Sequence, residues 1–186
     1  RQRRRGIRAR GVGRDPLEAE LEARIRHDDD GYIDNSRVVF DQSLLELVAP
    51  VAGESFDFET PDVVLTAATD GITLAAAMAA HFGATVAYAK KSKETAVEEF
   101  IESRQRLDSG IELTYYLPAR AIDAGDSVLV VDDLIRSGET QELLLDITER
   151  AGADVSGVFA LIAAGEEGID RAKTRVDAPV GALTTL

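Results

Sequence analysis

From residue 63 onward, short apolar runs alternate with longer stretches of helical length. Val63–Ala67, Thr85–Ala89, Ser127–Val131 and Val155–Ala163 are too short for typical helices and rich in valine, as expected of strands buried on both faces of a parallel sheet. Between them, Ile72–Phe82 and Thr140–Ala151 read as helices, each running into a glycine, Gly83 or Gly152, that suits the left-handed position after a helix. Strand–helix–strand units with right-handed crossovers then predict an α/β fold, a doubly wound parallel sheet flanked by helices. Ligands of such sheets sit beyond the carboxyl ends of the strands.

Upstream the pattern is less regular. Asp15-Pro16-Leu17-Glu18 offers an N-cap, a proline at the first helical position and an acid three residues after the cap, which predicts a helix to about His27, ended by Asp28-Asp29-Asp30-Gly31. A second helix is expected around Ser43–Ala52, followed by a loop at Phe56–Pro61. The interval Ser92–Arg120 is long, charged and ends in the strand-like Ile111–Leu117, so it reads either as a lid or as an antiparallel hairpin. Residues 1–14 show no hydrophobic period and are expected to form a disordered basic tail, leaving 15–186 as one domain.

Composition narrows this picture. A chain of 186 residues with 45% hydrophobic content supports one core, and an aromatic share of 5% means that small aliphatic side chains must fill it. The absence of cysteine excludes disulfides, thiolate metal sites and cysteine nucleophiles. No run approaches the about 20 apolar residues of a membrane helix, which leads to the expectation of a soluble, cytoplasmic protein without a membrane partner.

Charge is distributed unevenly: residues 1–14 hold seven arginines and no acid, while the remainder carries 14 basic against 34 acidic residues, a net of −20. Such a body repels nucleic acid and suits high salt, where self-repulsion is screened. Of four lysines, Lys90, Lys91 and Lys93 fall within four positions, which points to a local anion partner or to a solvated strand end.

The chemistry concentrates in Val128–Thr140, Val-Leu-Val-Val-Asp-Asp-Leu-Ile-Arg-Ser-Gly-Glu-Thr. Its strand runs into two acids and then a tight turn at a helix start, where unpaired N–H groups and the positive dipole end form a phosphate cradle. The hydroxyls of Ser137 and Thr140 can complete that cradle, and Asp132 and Asp133 are placed to accept hydrogen bonds from the vicinal hydroxyls of a sugar. The plainer alternative is a strand ended by two capping aspartates. A Walker loop is excluded, because Gly-x-x-x-x-Gly-Lys-[Ser/Thr] is missing.

This segment resembles the signature of type I phosphoribosyltransferases, and the resemblance extends over about residues 30–186. Thr66–Leu74 looks like the family's pyrophosphate loop, and Ala87–Lys93 like the basic strand end that follows it. Both are most similar to the adenine and xanthine phosphoribosyltransferases and to the purine repressor of Gram-positive bacteria, which senses with the same fold. Haloarchaeal adenine phosphoribosyltransferase-like proteins look closer still.

The resemblance implies an enzyme that transfers the phosphoribosyl group of 5-phosphoribosyl-1-pyrophosphate to a purine base, adenine-type, with Mg2+ carried by the pyrophosphate. It implies that Asp132 and Asp133 are the catalytic pair on the ribose, and that Ile135, Arg136, Ser137, Gly138, Glu139 and Thr140 hold the 5′-phosphate. Ala68, Thr69, Asp70 and Gly71, with Lys90, Lys91 and Lys93, would face the pyrophosphate. A mobile loop would lie within Ser92–Arg120, a hood would combine residues 15–35 and 164–186, and the expected assembly is a homodimer. Three departures stand out: Glu139 where many members have glycine, Asp70 in the pyrophosphate loop, and no recognisable loop motif. The alternative function is a regulator that senses purine or phosphoribosyl pyrophosphate without catalysis.

Overall fold

Local sequence explains most element boundaries in the computed structural model of the chain, which describes residues 13–29, 32–107 and 110–186. The arginine-rich stretch up to residue 12, expected to be disordered, and Asp30 and Gly31, expected to help end the first helix, lie outside the described residues. Helix α1 (Arg14–Glu22) starts at Gly13 rather than at Asp15, and it stops five residues before His27. The reason is that Arg26–His27 (β1) extends to pair antiparallel with Ile33–Asp34 (β2). After α2 (Ser36–Val39), Asp41 caps α3 (Gln42–Phe56) by accepting from the Leu44 N–H, and the helix runs on past the expected Ala52.

The regular half follows the predicted alternation: β3 (Val63–Ala67), α4 (Gly71–Phe82), β4 (Thr85–Ala89), β5 (Phe100–Arg106), β6 (Glu112–Pro118), β7 (Ser127–Ile135), α5 (Glu139–Ala151), β8 (Asp154–Ala163), α6 (Glu167–Lys173) and β9 (Val180–Thr185). Five strands form one parallel sheet in the order β4-β3-β7-β8-β9. Gly83 (φ 73°) and Gly152 (φ 74°) end α4 and α5 in the left-handed conformation. Strand β9, from the stretch assigned to the hood, is an edge of this sheet, and α1 lies against it, with Arg14 donating to the Ala182 carbonyl.

Because side chains alternate across a strand, each face of the sheet builds its own core. Val64, Leu129, Val131, Phe159 and Leu183 pack with α1, α3 and α4 on one face. Val63, Leu65, Val128, Val130 and Val158 pack with α5 and α6 on the other. Truncating a fully buried side chain here, such as Leu129 or Ile147, is expected to cost about 2–5 kcal/mol.

The Ser92–Arg120 interval resolves as the antiparallel hairpin β5–β6. It is joined to the sheet beyond β4, where the Lys90 N–H donates to the Tyr116 carbonyl (2.9 Å) and the Tyr116 N–H to the Lys90 carbonyl (2.8 Å).

Candidate active site

Strand β7 continues four residues beyond the expected Val131, because Asp132, Leu134 and Ile135 still pair with Ala160, Ile162 and Ala163 of β8. The two acids therefore lie on the strand itself. Asp132 turns toward α5, is 8% exposed, and accepts from Gln141 Nε2 at 2.6 Å and from the Asp133 N–H at 3.0 Å. Asp133 is half-buried, and Asn35 Nδ2 donates to its Oδ2 at 2.6 Å. Burial, followed by the neighbouring charge of Asp133, pushes the Asp132 carboxyl well above the usual carboxylate range.

The expected pyrophosphate loop arrives at the same place from the adjacent strand. Ala68, Thr69 and Asp70 join β3 to α4, the Ala68–Thr69 peptide is cis, and Gly71 opens the helix. A Cβ on Gly71 would stand 2.2 Å from Thr66 Oγ1 and 3.2 Å from Asp132 Oδ1, so only glycine lets the loop lie this close to the acid pair.

Past Ile135, residues Arg136–Gly138 turn into α5, with Gly138 left-handed at φ 81°. An open depression here is lined by Leu134, Arg136, Ser137, Gly138, Glu139, Thr140 and Gln141. Both hydroxyls of the expected cradle already have partners: Ser137 Oγ donates to Glu139 Oε2 at 2.6 Å, and Thr140 shares a hydrogen bond with Tyr115 of the hairpin. Arg171 of α6 braces the turn from behind, donating to the Ser137 carbonyl (3.3 Å) and to Glu142 (2.5 Å), which also accepts from Gln105 of β5 (3.0 Å).

The lysines lie where β4 ends, one strand beyond β3. Lys90 is paired with Glu94, and Lys93 stands 3.4 Å from Glu102 and over the Tyr116 ring. Lys91 is exposed and has no carboxylate partner among the described residues. The fold thus brings the acid pair, Ala68–Gly71, the Ile135–Thr140 turn and the lysines to one edge of the sheet. Sequence reasoning missed Asn35, Gln141, Tyr115 and Arg171. Three of these lie more than 15 residues from the acids in sequence, and Gln141 reads simply as an ordinary helix residue.

Residues 41–180 match the model of the phosphoribosyl transferase domain. The chain belongs to that family. Among curated relatives of this phosphoribosyl transferase domain, the purine biosynthesis transcriptional repressor of Bacillus subtilis is 28% identical over 75% of the chain and 49% of its own length. A xanthine phosphoribosyltransferase of Bifidobacterium adolescentis is 28% identical over 69% of the chain and 68% of its own length. For a third relative, the xanthine phosphoribosyltransferase of Clostridium tetani, the identity is 35% over 53% of the chain, and the chain spans 54% of that enzyme. In structure, adenine phosphoribosyltransferase from Rhodothermus marinus superposes with a TM-score of 0.79 at 25% identity, covering 92% of this chain and 99% of the other.

Proposed function

We propose that this phosphoribosyltransferase domain binds 5-phosphoribosyl-1-pyrophosphate across the carboxyl edge of β3, β4 and β7 and transfers its phosphoribosyl group to a purine base. The observation that carries the reading is the Asp132–Asp133 pair, set between a loop tight enough to demand Gly71 and a helix N-terminus. Relatives named for xanthine and for adenine both support a purine acceptor, and adenine is the first candidate by the structural likeness.

Transfer breaks the bond between C1 of the ribose and the pyrophosphate oxygen and forms a bond from C1 to a base nitrogen, whose proton leaves to solvent. Positive charge grows on the sugar and negative charge on the leaving group. Asp133, with one carboxylate oxygen held by Asn35, accepts from the ribose hydroxyls and stabilises the positive ring. Asp132, buried and held by Gln141, anchors the pair from below.

The N–H groups at the start of α5, with Arg136, receive the 5′-phosphate. The Ala68–Gly71 loop and Lys91 receive the pyrophosphate. In this reading the magnesium ion arrives with the pyrophosphate. When bound, that ion neutralises charge on the leaving group. Hairpin β5–β6 shields the reacting centre from water, and residues 15–35, through Asn35, belong to the hood over the base.

A second reading, a sensor that binds the same ligand without turnover, is favoured by the match to the Bacillus repressor and by the pairing of Lys90 and Lys93 with glutamates. A screen of adenine, hypoxanthine, guanine, xanthine and orotate, run in molar salt with magnesium, separates the two. Pyrophosphate release with a purine supports the enzyme, whereas tight ligand binding with no turnover on any base supports the sensor.

A further inference from the structure

The first turn of α5 carries two acids that are treated differently by their surroundings. Glu142 is neutralised by Arg171 at 2.5 Å and further held by Gln105, so its charge is answered by a cation. Glu139 has no ion pair among the described residues. Its carboxylate instead accepts the hydroxyl proton of Ser137 at 2.6 Å, in the wall of the depression at the helix start. Glu139, the first residue of α5, thereby keeps a negative group at the helix N-terminus, where the dipole stabilises it.

We propose that Glu139 is an internal competitor for the phosphate cradle: its carboxylate holds the Ser137 hydroxyl, and a phosphate ester binds only by displacing it. This rests on the reading of the Ile135–Thr140 turn as the 5′-phosphate site. Two anions cannot share one small cradle, because like charges about 4 Å apart repel strongly near a protein surface. Ser137 must turn its hydroxyl from the carboxylate to the phosphate, and the Glu139 side chain must swing toward solvent. The half-buried position of Glu139 leaves it a route outward, and the exposed Arg136 next to the turn has no ion pair among the described residues and is available to either anion. The consequence is selectivity: a ligand held only by its phosphate is rejected, whereas one that also engages Asp133 and the Ala68–Gly71 loop displaces the carboxylate.

The test uses ribose 5-phosphate and unphosphorylated ribose as probes on the full chain, with Glu139→Gln and Glu139→Ala as variants. Their melting temperatures verify folding, and isothermal calorimetry reads affinity in molar potassium chloride. The expected result is that both variants bind ribose 5-phosphate about tenfold or more tightly than the unmodified chain, while ribose binding does not change. Equal or weaker binding of ribose 5-phosphate by both variants overturns the competitor role but leaves the phosphate site standing. Absence of ribose 5-phosphate binding in the unmodified chain and in both variants overturns the site itself, and the inference with it.

Discussion

Gln141 Nε2 donates to Asp132 Oδ2 at 2.6 Å, and both residues are buried, at 1% and 8% exposure. Helix α5 thus supplies both the start of the phosphate cradle and the amide that holds the inner acid. Replacing Gln141 with Leu leaves a buried carboxyl without that partner, a change expected to cost about 1–3 kcal/mol. Urea unfolding checks the stability loss. Ligand affinity should fall in parallel, since the acid pair loses its orientation.

Asp132 also makes stability depend on pH, with a sign opposite to that of a paired carboxylate. Its folded-state pKa is raised above the ordinary value of 3.8, so between that value and the raised one the folded chain holds more protons than the unfolded chain. Stability contributed by this group is present at low pH and is lost as pH rises through the interval. Asp132→Asn removes the penalty. The variant should unfold at a higher urea midpoint than the unmodified chain at pH 7, the difference shrinking toward pH 4, while its ligand binding weakens. A midpoint difference that stays constant from pH 4 to 8 contradicts the assignment.

Glu142 behaves in the opposite sense. Its pKa is lowered, first by the hydrogen bond from Arg171, so the stability it contributes is present above the ordinary carboxylate range and is lost as pH falls through the lowered value. Arg171→Ala should cost about 1 kcal/mol or less at pH 7 through this pair, since it is partly exposed, and less at low pH. Because Arg171 also braces the Ser137 carbonyl, the same variant should weaken binding of phosphate esters. Denaturation at two pH values and a ribose 5-phosphate titration check the two effects separately.

Among the three clustered lysines, Lys91→Ala should reduce pyrophosphate release most. Lys90 and Lys93 already face Glu94 and Glu102, so each contributes less net charge to an incoming pyrophosphate than Lys91, which has no carboxylate partner among the described residues. Steady-state rates for the three alanine variants test the ranking, and equal losses for all three would contradict it.

The sheet was legible because Val63–Ala67 and Thr85–Ala89 stand out as short valine-containing runs, and each is observed as a parallel strand over those residues, although the second is an edge strand with Thr85, Val86 and Tyr88 exposed rather than buried on both faces. Strand β7 was read short. Two acids look like a strand end in sequence, yet pairing with β8 continues through them to Ile135. Helix α1 is shorter than its sequence suggests because nothing local announces that Arg26–His27 extends to pair with Ile33–Asp34. For the site, the acids and the Ser-Gly turn declare themselves through their order along the chain. Asn35 stands 98 positions from Asp133, and Tyr115 reaches Thr140 from the hairpin, so both are products of the tertiary fold. The two lysine–glutamate pairs were equally invisible, and they temper the positive cluster that Lys90, Lys91 and Lys93 suggest on paper.

The central claim is that one ligand spans the acid pair, the Ala68–Gly71 loop and the start of α5. Calorimetric titration of 5-phosphoribosyl-1-pyrophosphate with magnesium into the unmodified chain and into Asp133→Asn, in high potassium chloride, tests it most directly. Saturable binding by the unmodified chain, with a matching rise in melting temperature, and binding at least tenfold weaker in Asp133→Asn is the predicted result. No heat and no thermal shift with the unmodified chain, or equal affinity in the two proteins, would contradict the account.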